Sequence, residues 1–74
     1  MKKTIDLFCD IVDNYGDIGV VYRLGKELYN RNYKVRIFVN KLNEVSKIIK
    51  GFNSSLPYQV HNGIEFFDFN NFEI

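Results

Sequence analysis

The apolar residues of this chain change their period twice, from two to between three and four and back again, and that alternation limits the fold more than any other feature. Ile5, Leu7, Cys9 and Ile11 fall on alternate positions, with Phe8 and Val12 on the opposite side, the pattern of a strand largely covered on both faces. Asp6 and Asp10 interrupt that second face. From Ile18 onward the spacing becomes helical. Ile18, Val21, Leu24, Gly25 and Leu28 share one side, while Arg23, Lys26, Glu27 and Arg31 take the other. Glu27 and Arg31 are placed for an i,i+4 ion pair, and Asn32 is suited to end the helix.

Lys34 to Val39 reads as a second strand, apolar at Val35, Ile37, Phe38 and Val39. A second helix is expected to follow, with Leu42, Val45, Ile48, Ile49 and Phe52 as its stripe, Lys47 and Lys50 near its negative end, and Gly51 as its stop. Asn53, Ser54, Ser55 and Pro57 are loop material. From Tyr58 to Phe69, either two short strands close a hairpin on Asn62-Gly63 or a single third strand runs from Ile64 to Phe69. The order β-α-β-α-β predicts the α/β class, a parallel sheet and right-handed crossovers.

With 74 residues the chain can hold one modest core, because a domain of this size buries only about 60% of the surface its unfolded form exposes. A parallel sheet needs cover on both faces, and three strands with two helices supply about half of it. Phe66, Phe67, Phe69 and Phe72 would be hard to bury in so small a unit. The layout therefore reads as the opening part of a larger domain, with missing sequence, a partner chain or marginal stability as the consequence. Ten basic and nine acidic residues are interspersed, which argues against a nucleic-acid footprint. Cys9 stands alone inside an apolar run, so it closes no intrachain disulfide and fits a reducing, cytoplasmic setting. Asp6 and Asp10 break the first apolar run, which excludes a signal-peptide core or a membrane span there.

The most chemically loaded stretch is Val12-Asp13-Asn14-Tyr15-Gly16-Asp17-Ile18-Gly19-Val20, between the first strand and the first helix. In open α/β sheets ligands gather at the carboxyl ends of the strands. A dinucleotide site is disfavoured: Gly16 and Gly19 do not make G-x-G-x-x-G, the acid expected after the second strand is Asn40, and Asp17 would oppose a phosphate. Two carboxylates on one turn suit a cation instead, and a guanidinium takes forked, charge-assisted hydrogen bonds from such a pair. Asp17, near the positive end of the helix dipole, is expected to stay ionised at neutral pH, as a general base or cation anchor requires. Two carboxylates without a further ligand leave a metal site underfilled. His61 reads as a solvated loop residue, and Tyr22 and Tyr29 as core or rim. The local alternative stays open: Asp17 can cap the helix, Asp13 and Asn14 can bond nearby amides, and Gly16 can supply a positive φ.

At these residues the chain resembles a known family. Asp6-Leu7-Phe8-Cys9, the stretch from Val12 to Val20, and Tyr22-Arg23-Leu24 are similar to the N-terminus of the bacterial protein-arginine rhamnosyltransferases that mature translation elongation factor P. The likeness continues more loosely through Val35-Arg36-Ile37-Phe38-Val39, Leu42, Gln59-Val60 and Gly63-Ile64-Glu65, so it spans the whole chain. Asn40-Lys41 stands where the family tends to be acidic, and Asp10 where it is more often basic or neutral.

The resemblance implies a Rossmann-like parallel sheet, residues 1–74 being the incomplete N-terminal, acceptor-side domain of a GT-B glycosyltransferase whose C-terminal nucleotide-sugar domain is absent from this chain. It implies transfer of rhamnose from dTDP-β-L-rhamnose to an arginine of elongation factor P, with inversion, without metal or other cofactor, in the cytoplasm, with neither nucleic acid nor membrane as partner. On the matching positions Asp17 would be the general base and Asp13 would orient the acceptor guanidinium, with Asn14, Tyr15, Gly16, Ile18 and Gly19 lining the site. A piece of this size is expected to be inactive alone. The alternative is a non-catalytic Rossmann-like binding or remnant module.

Overall fold

The computed structural model describes residues 2–11 and 16–71, and for Asp17 and Asn71 the backbone alone. Within them the order is β1 (Thr4–Cys9), α1 (Gly16–Asn30), β2 (Lys34–Val39), α2 (Leu42–Val45), β3 (Tyr58–His61), β4 (Ile64–Asp68) and a 3-10 turn, Phe69–Asn71. The strands form one sheet in the order β1-β2-β4-β3. β1, β2 and β4 are parallel, whereas β3 runs antiparallel to β4. The sheet is thus mixed rather than purely parallel, and the single-strand option for the tail is replaced by the hairpin. The turn explains it: Asn62 (φ 53) and Gly63 (φ 81) both adopt the left-handed conformation that a two-residue hairpin of this twist demands.

α1 lies on the sheet through Ile18, Tyr22 and Gly25, with Val21 and Leu28 packed at its sides. Gly25 permits a close approach, since a Cβ there would meet Ile37 Cδ1 at 3.2 Å and Ile64 Cδ1 at 3.5 Å. Leu24, which spacing assigned to this face, is 47% exposed, and Tyr22 takes the place instead because the row Ile18–Tyr22–Gly25 is the one pointing at the strands. The helix ends as expected near Asn32, whose φ is 73, and Arg31 reaches Glu27 at 3.3 Å.

The second helix is much shorter than its apolar stripe suggests. Only Leu42–Val45 is α-helical, and the chain continues through turns to Gly51 (φ 86). Val45, Ile48 and Ile49 are β-branched, and Ser46 Oγ donates to the Asn43 carbonyl at 2.7 Å, so local geometry competes with helix propagation. The stripe still does its work. Leu42, Val45, Ile49 and Phe52 are buried, in one cluster with Ile18, Val35, Ile37, Val39, Ile64 and Phe66.

All of that core lies on one side of the sheet. The opposite side carries a row that crosses all four strands in register: Phe8, Phe38, Phe67 and Tyr58. Phe8 stacks on Phe38 at 4.8 Å, Phe38 on Phe67 at 4.7 Å, and Tyr58 lies 4.9 Å from Phe67. Phe38 is covered by its neighbours, but Phe8 is 61% exposed, Tyr58 48% and Phe69 45%. The expectation that β1 is covered on both sides does not hold for this chain. The sheet grows in one direction from β1 to β4, and under the right-handed rule for parallel connections both helical segments return on the same face, where their buried residues share one cluster.

Beside the aromatic row runs a polar one. Arg36, opposite Asp6 in register, donates from Nε and Nη2 to the two carboxylate oxygens at 2.7 and 2.8 Å, and its guanidinium lies over the Phe38 and Phe67 rings. The hydrogen bond from Arg36 holds the Asp6 carboxyl below the ordinary carboxylate range, while Tyr58, donating to Glu65 at 3.0 Å, is raised. A lowered carboxylate stabilises the fold above its unfolded-state pKa and loses that contribution as pH falls through the lower folded value. Asp6→Asn is therefore expected to unfold at a lower temperature than the parent at pH 7, with the gap closing below about pH 4. Melting curves from pH 7 to 2 check this, and a gap that stays constant would contradict it. Because both side chains are about a third exposed, the gap should be small.

Candidate functional site at the carboxyl edge of the sheet

Three parallel strands, β1, β2 and β4, end on the same edge, where the chain leaves β1 for α1. The polar groups of that edge are tied together by one side chain. Asn40, directly after β2, accepts the Ile11 amide on Oδ1 at 2.7 Å and donates from Nδ2 to the Ile11 carbonyl at 3.1 Å and to Asp10 Oδ1 at 2.7 Å. Its own amide reaches the Cys9 carbonyl at 3.4 Å, and its carbonyl accepts from Asn70 Nδ2, beyond β4, at 2.8 Å. Next to this knot, Phe8, Cys9, Asp10, Val20 and Val21 line an open hollow of about 310 Å³ between the end of β1 and the second turn of α1.

The candidate residues divide into three groups. Asp13, Asn14 and Tyr15 lie outside the described residues. Gly16 and Asp17 open α1, so the Asp17 backbone stands in the first turn of the helix, at the same edge as Asn40 and Asp10. A carboxylate in a first turn is favoured by the helix dipole. Ile18 and Gly19 are described in full and behave differently from each other. Ile18 is wholly buried in the core cluster, where it anchors the start of α1, while Gly19 is half-buried with nothing within 4 Å of a Cβ built on it.

His61 is placed elsewhere. It ends β3 at the opposite edge of the sheet, stacks on Phe52 at 5.0 Å, and its Nε2 lies 2.7 Å from Gln59 Oε1, so it is a packed residue rather than a solvated one. Tyr22 is buried, and its hydroxyl accepts from Asn62 Nδ2 at 2.7 Å. Sequence reasoning noticed Asn40 only as a missing acid. The signal that could have found it is positional: a residue at the end of β2 faces the end of β1 in a parallel pair, and an amide there can bracket a peptide. Among the described residues no three His, Cys, Asp or Glu groups gather to hold a metal ion, and no helix is long and apolar enough to cross a membrane.

The described residues define a small α/β fold with a mixed four-stranded sheet. Its family follows from comparison. The profile of the family described as elongation factor P (EF-P) rhamnosyltransferase EarP matches residues 5–73, and the chain belongs to that family. A protein-arginine rhamnosyltransferase of Pseudomonas putida is 39% identical over 66 residues, covering 88% of this chain and 18% of its own length. One from Shewanella oneidensis is 45% identical over 60 residues, 80% of this chain and 15% of its own. One from Pseudomonas aeruginosa is 36% identical over 61 residues, 81% and 16%. The chain thus spans less than a fifth of the length of the curated relatives it matches.

The different settings of Ile18 and Gly19 yield a paired expectation. Ile18→Ala should cost about 2–4 kcal/mol, the range for emptying a packed aliphatic site. Gly19→Ala should be neutral or stabilising by up to about 1 kcal/mol, because it improves helix propensity and meets no neighbour. Chemical denaturation of both variants decides, and equal costs would contradict the assignment of Ile18 to the core.

Proposed function

We propose that these residues form the acceptor-side part of an inverting GT-B glycosyltransferase that moves rhamnose from dTDP-β-L-rhamnose to an arginine side chain of elongation factor P, in the cytoplasm and without a metal. The observation that carries the reading is an acid, Asp17, in the first turn of α1 at the ligand edge, in a chain of this family. In the reaction a guanidinium nitrogen attacks the anomeric carbon from the face opposite the nucleotide. The new nitrogen–carbon bond forms as the carbon–oxygen bond to the diphosphate breaks, and dTDP leaves with that electron pair. A guanidinium gives up its proton only at very high pH when free. Asp17 therefore takes the proton as the bond forms, while Asp13 holds the guanidinium by charge-assisted hydrogen bonds. Asn14, Tyr15, Gly16 and Gly19 line the acceptor in this reading, while Ile18, buried in the core, anchors the start of α1.

The open face supports the view that this is one part of a doubly wound domain. A further βα unit pairing with the free outer edge of β1 would bring its right-handed crossover back over Phe8, Phe38 and Phe67, and the turn after β1 would become the point where strand order reverses. The nucleotide-sugar site belongs to a second domain in this reading, so the 74 residues alone do not turn over substrate.

The test is Asp17→Asn in a full-length polypeptide carrying these residues. Rhamnosyl transfer, read as the mass gain of elongation factor P, should fall by about 10²- to 10⁴-fold, the usual worth of a positioned base, with an unchanged melting temperature. Activity equal to the parent would contradict the assignment.

A further inference from the structure

The two edges of the sheet are built differently. β3 is four residues long, follows Pro57 and is tied through Gln59 to the Asn53 and Leu56 carbonyls of the loop before it. Short edge strands and prolines are among the ways a sheet discourages pairing with another chain. β1, at the opposite edge, has neither. It runs for six residues in unbroken register with β2, contains no proline, and its one charged residue, Asp6, is already engaged by the fork from Arg36. The ladder also fixes which backbone groups β1 leaves outside. The Lys3 carbonyl accepts from Lys34 and the Cys9 carbonyl from Asn40, so by the two-residue period of the strand Ile5, Leu7 and Cys9 turn their polar backbone groups toward β2. Thr4, Asp6 and Phe8 turn theirs outward, and among the described residues no strand pairs with them. The side chains show the same gap. Val35, Ile37 and Val39 of β2 are wholly buried, whereas Ile5 and Leu7, facing the same core from β1, are only half-buried.

We propose that this edge is an interface for a second copy of the chain, the two β1 strands pairing antiparallel about a two-fold axis perpendicular to the sheet. Such an axis passes through a single strand position, and the side chains select which one. Centred on Asp6, the pairing sets that carboxylate against its own copy, and centred on Phe8 it sets Asp6 against Asp10; like charges directly opposite are destabilising. Centred on Ile5, it sets Lys3 against Leu7 on the core side. Centred on Leu7, it opposes Leu7 with itself, Ile5 with Cys9 on both flanks and Asp6 with Phe8, so the inward-facing pairs of the strand are apolar and no like charges meet. Ile5 of the second copy then stands beside Cys9, at the hollow lined by Phe8, Cys9, Val20 and Val21. The pairing lengthens the sheet and its covered core together and leaves the side that carries Phe38 and Phe67 open. It is an isologous contact through one pair of strands, at the small, transient end of the range for protein interfaces. The inference does not depend on the function proposed above: in a longer polypeptide the further βα unit proposed there would claim the same edge.

Sedimentation equilibrium of the 74-residue chain over a concentration series tests this, with the mass expected to rise from 8.8 kDa toward twice that value. Leu7→Lys and Leu7→Glu, each alone, should weaken association by about ten-fold or more, because the central apolar contact becomes a like-charged pair. Mixed in equal amounts, the two variants should associate again, since position 7 on the axis meets only its own copy. A Leu7 that merely supports the fold gives no such recovery. The parent, half isotope-labelled and half unlabelled, should show intermolecular NMR contacts from Leu7 to Leu7 and from Ile5 to Cys9, and these read the register even if the charged variants do not fold. The proposal is overturned by a parent that stays monomeric at every concentration, by single variants that associate as the parent does, or by folded variants whose mixture does not recover. Intermolecular contacts that run through Phe38, Phe67 and Tyr58 in place of Leu7 would overturn it as well, since the copies would then meet through the open side of the sheet.

Discussion

The direction in which the chain crosses its own sheet governs this molecule. From β1 to β2 and from β2 to β4 the chain moves across the sheet in the same direction, and a right-handed return then sends both helical segments to the same side. Every fully buried aliphatic side chain, from Ile18 to Ile64, consequently belongs to that side. Among the described residues the other side carries stacked rings across neighbouring strands, Phe69 edge-on against Phe8, and a forked Asp6–Arg36 pair beside them. Such cross-strand contacts are worth about 0.2–1 kcal/mol each, far less than closing a second core. The result is a contiguous exposed aromatic patch at Phe8, Tyr58 and Phe69.

The same topology selects the edge at which chemistry is possible. Three parallel strands end together, and the peptide after β1 is not left to the loop's own preferences but is gripped by Asn40. The helix that follows is held down by Ile18 and seated close to the strands through Gly25. Ile11 and the first turn of α1 are the described positions on either side of residues 12–15.

Much of this could be read from the sequence, and the misses have identifiable causes. The strands β1 and β2 and the long α1 were legible because their apolar periods are sustained over a whole element. Leu24 was misplaced because two rows of a helix one residue apart are both apolar in α1, and only packing chooses between them. The second helix was overestimated because a buried stripe of Leu42, Val45, Ile49 and Phe52 looks the same whether an α-helix or a run of turns presents it. The hairpin was visible as Asn62-Gly63, whereas the bonds from the Gln59 amide to the Asn53 and Leu56 carbonyls, which pin the preceding loop, were not. The acidic turn was conspicuous in the sequence, whereas the bond of Asn40 to the Ile11 amide, 29 residues away, was not. Long-range side-chain to backbone bonds leave no periodic trace.

Among the described residues the sheet has one covered face and one open one, and a soluble paramagnetic relaxation agent tests this directly on the 74-residue chain. Side-chain protons of Phe8, Tyr58, Val60 and Phe69 should relax strongly, and those of Val35, Ile37, Ile64 and Phe66 should remain shielded. Equal shielding of both sets would mean that the second face is already covered, and would contradict a core confined to one side of the sheet.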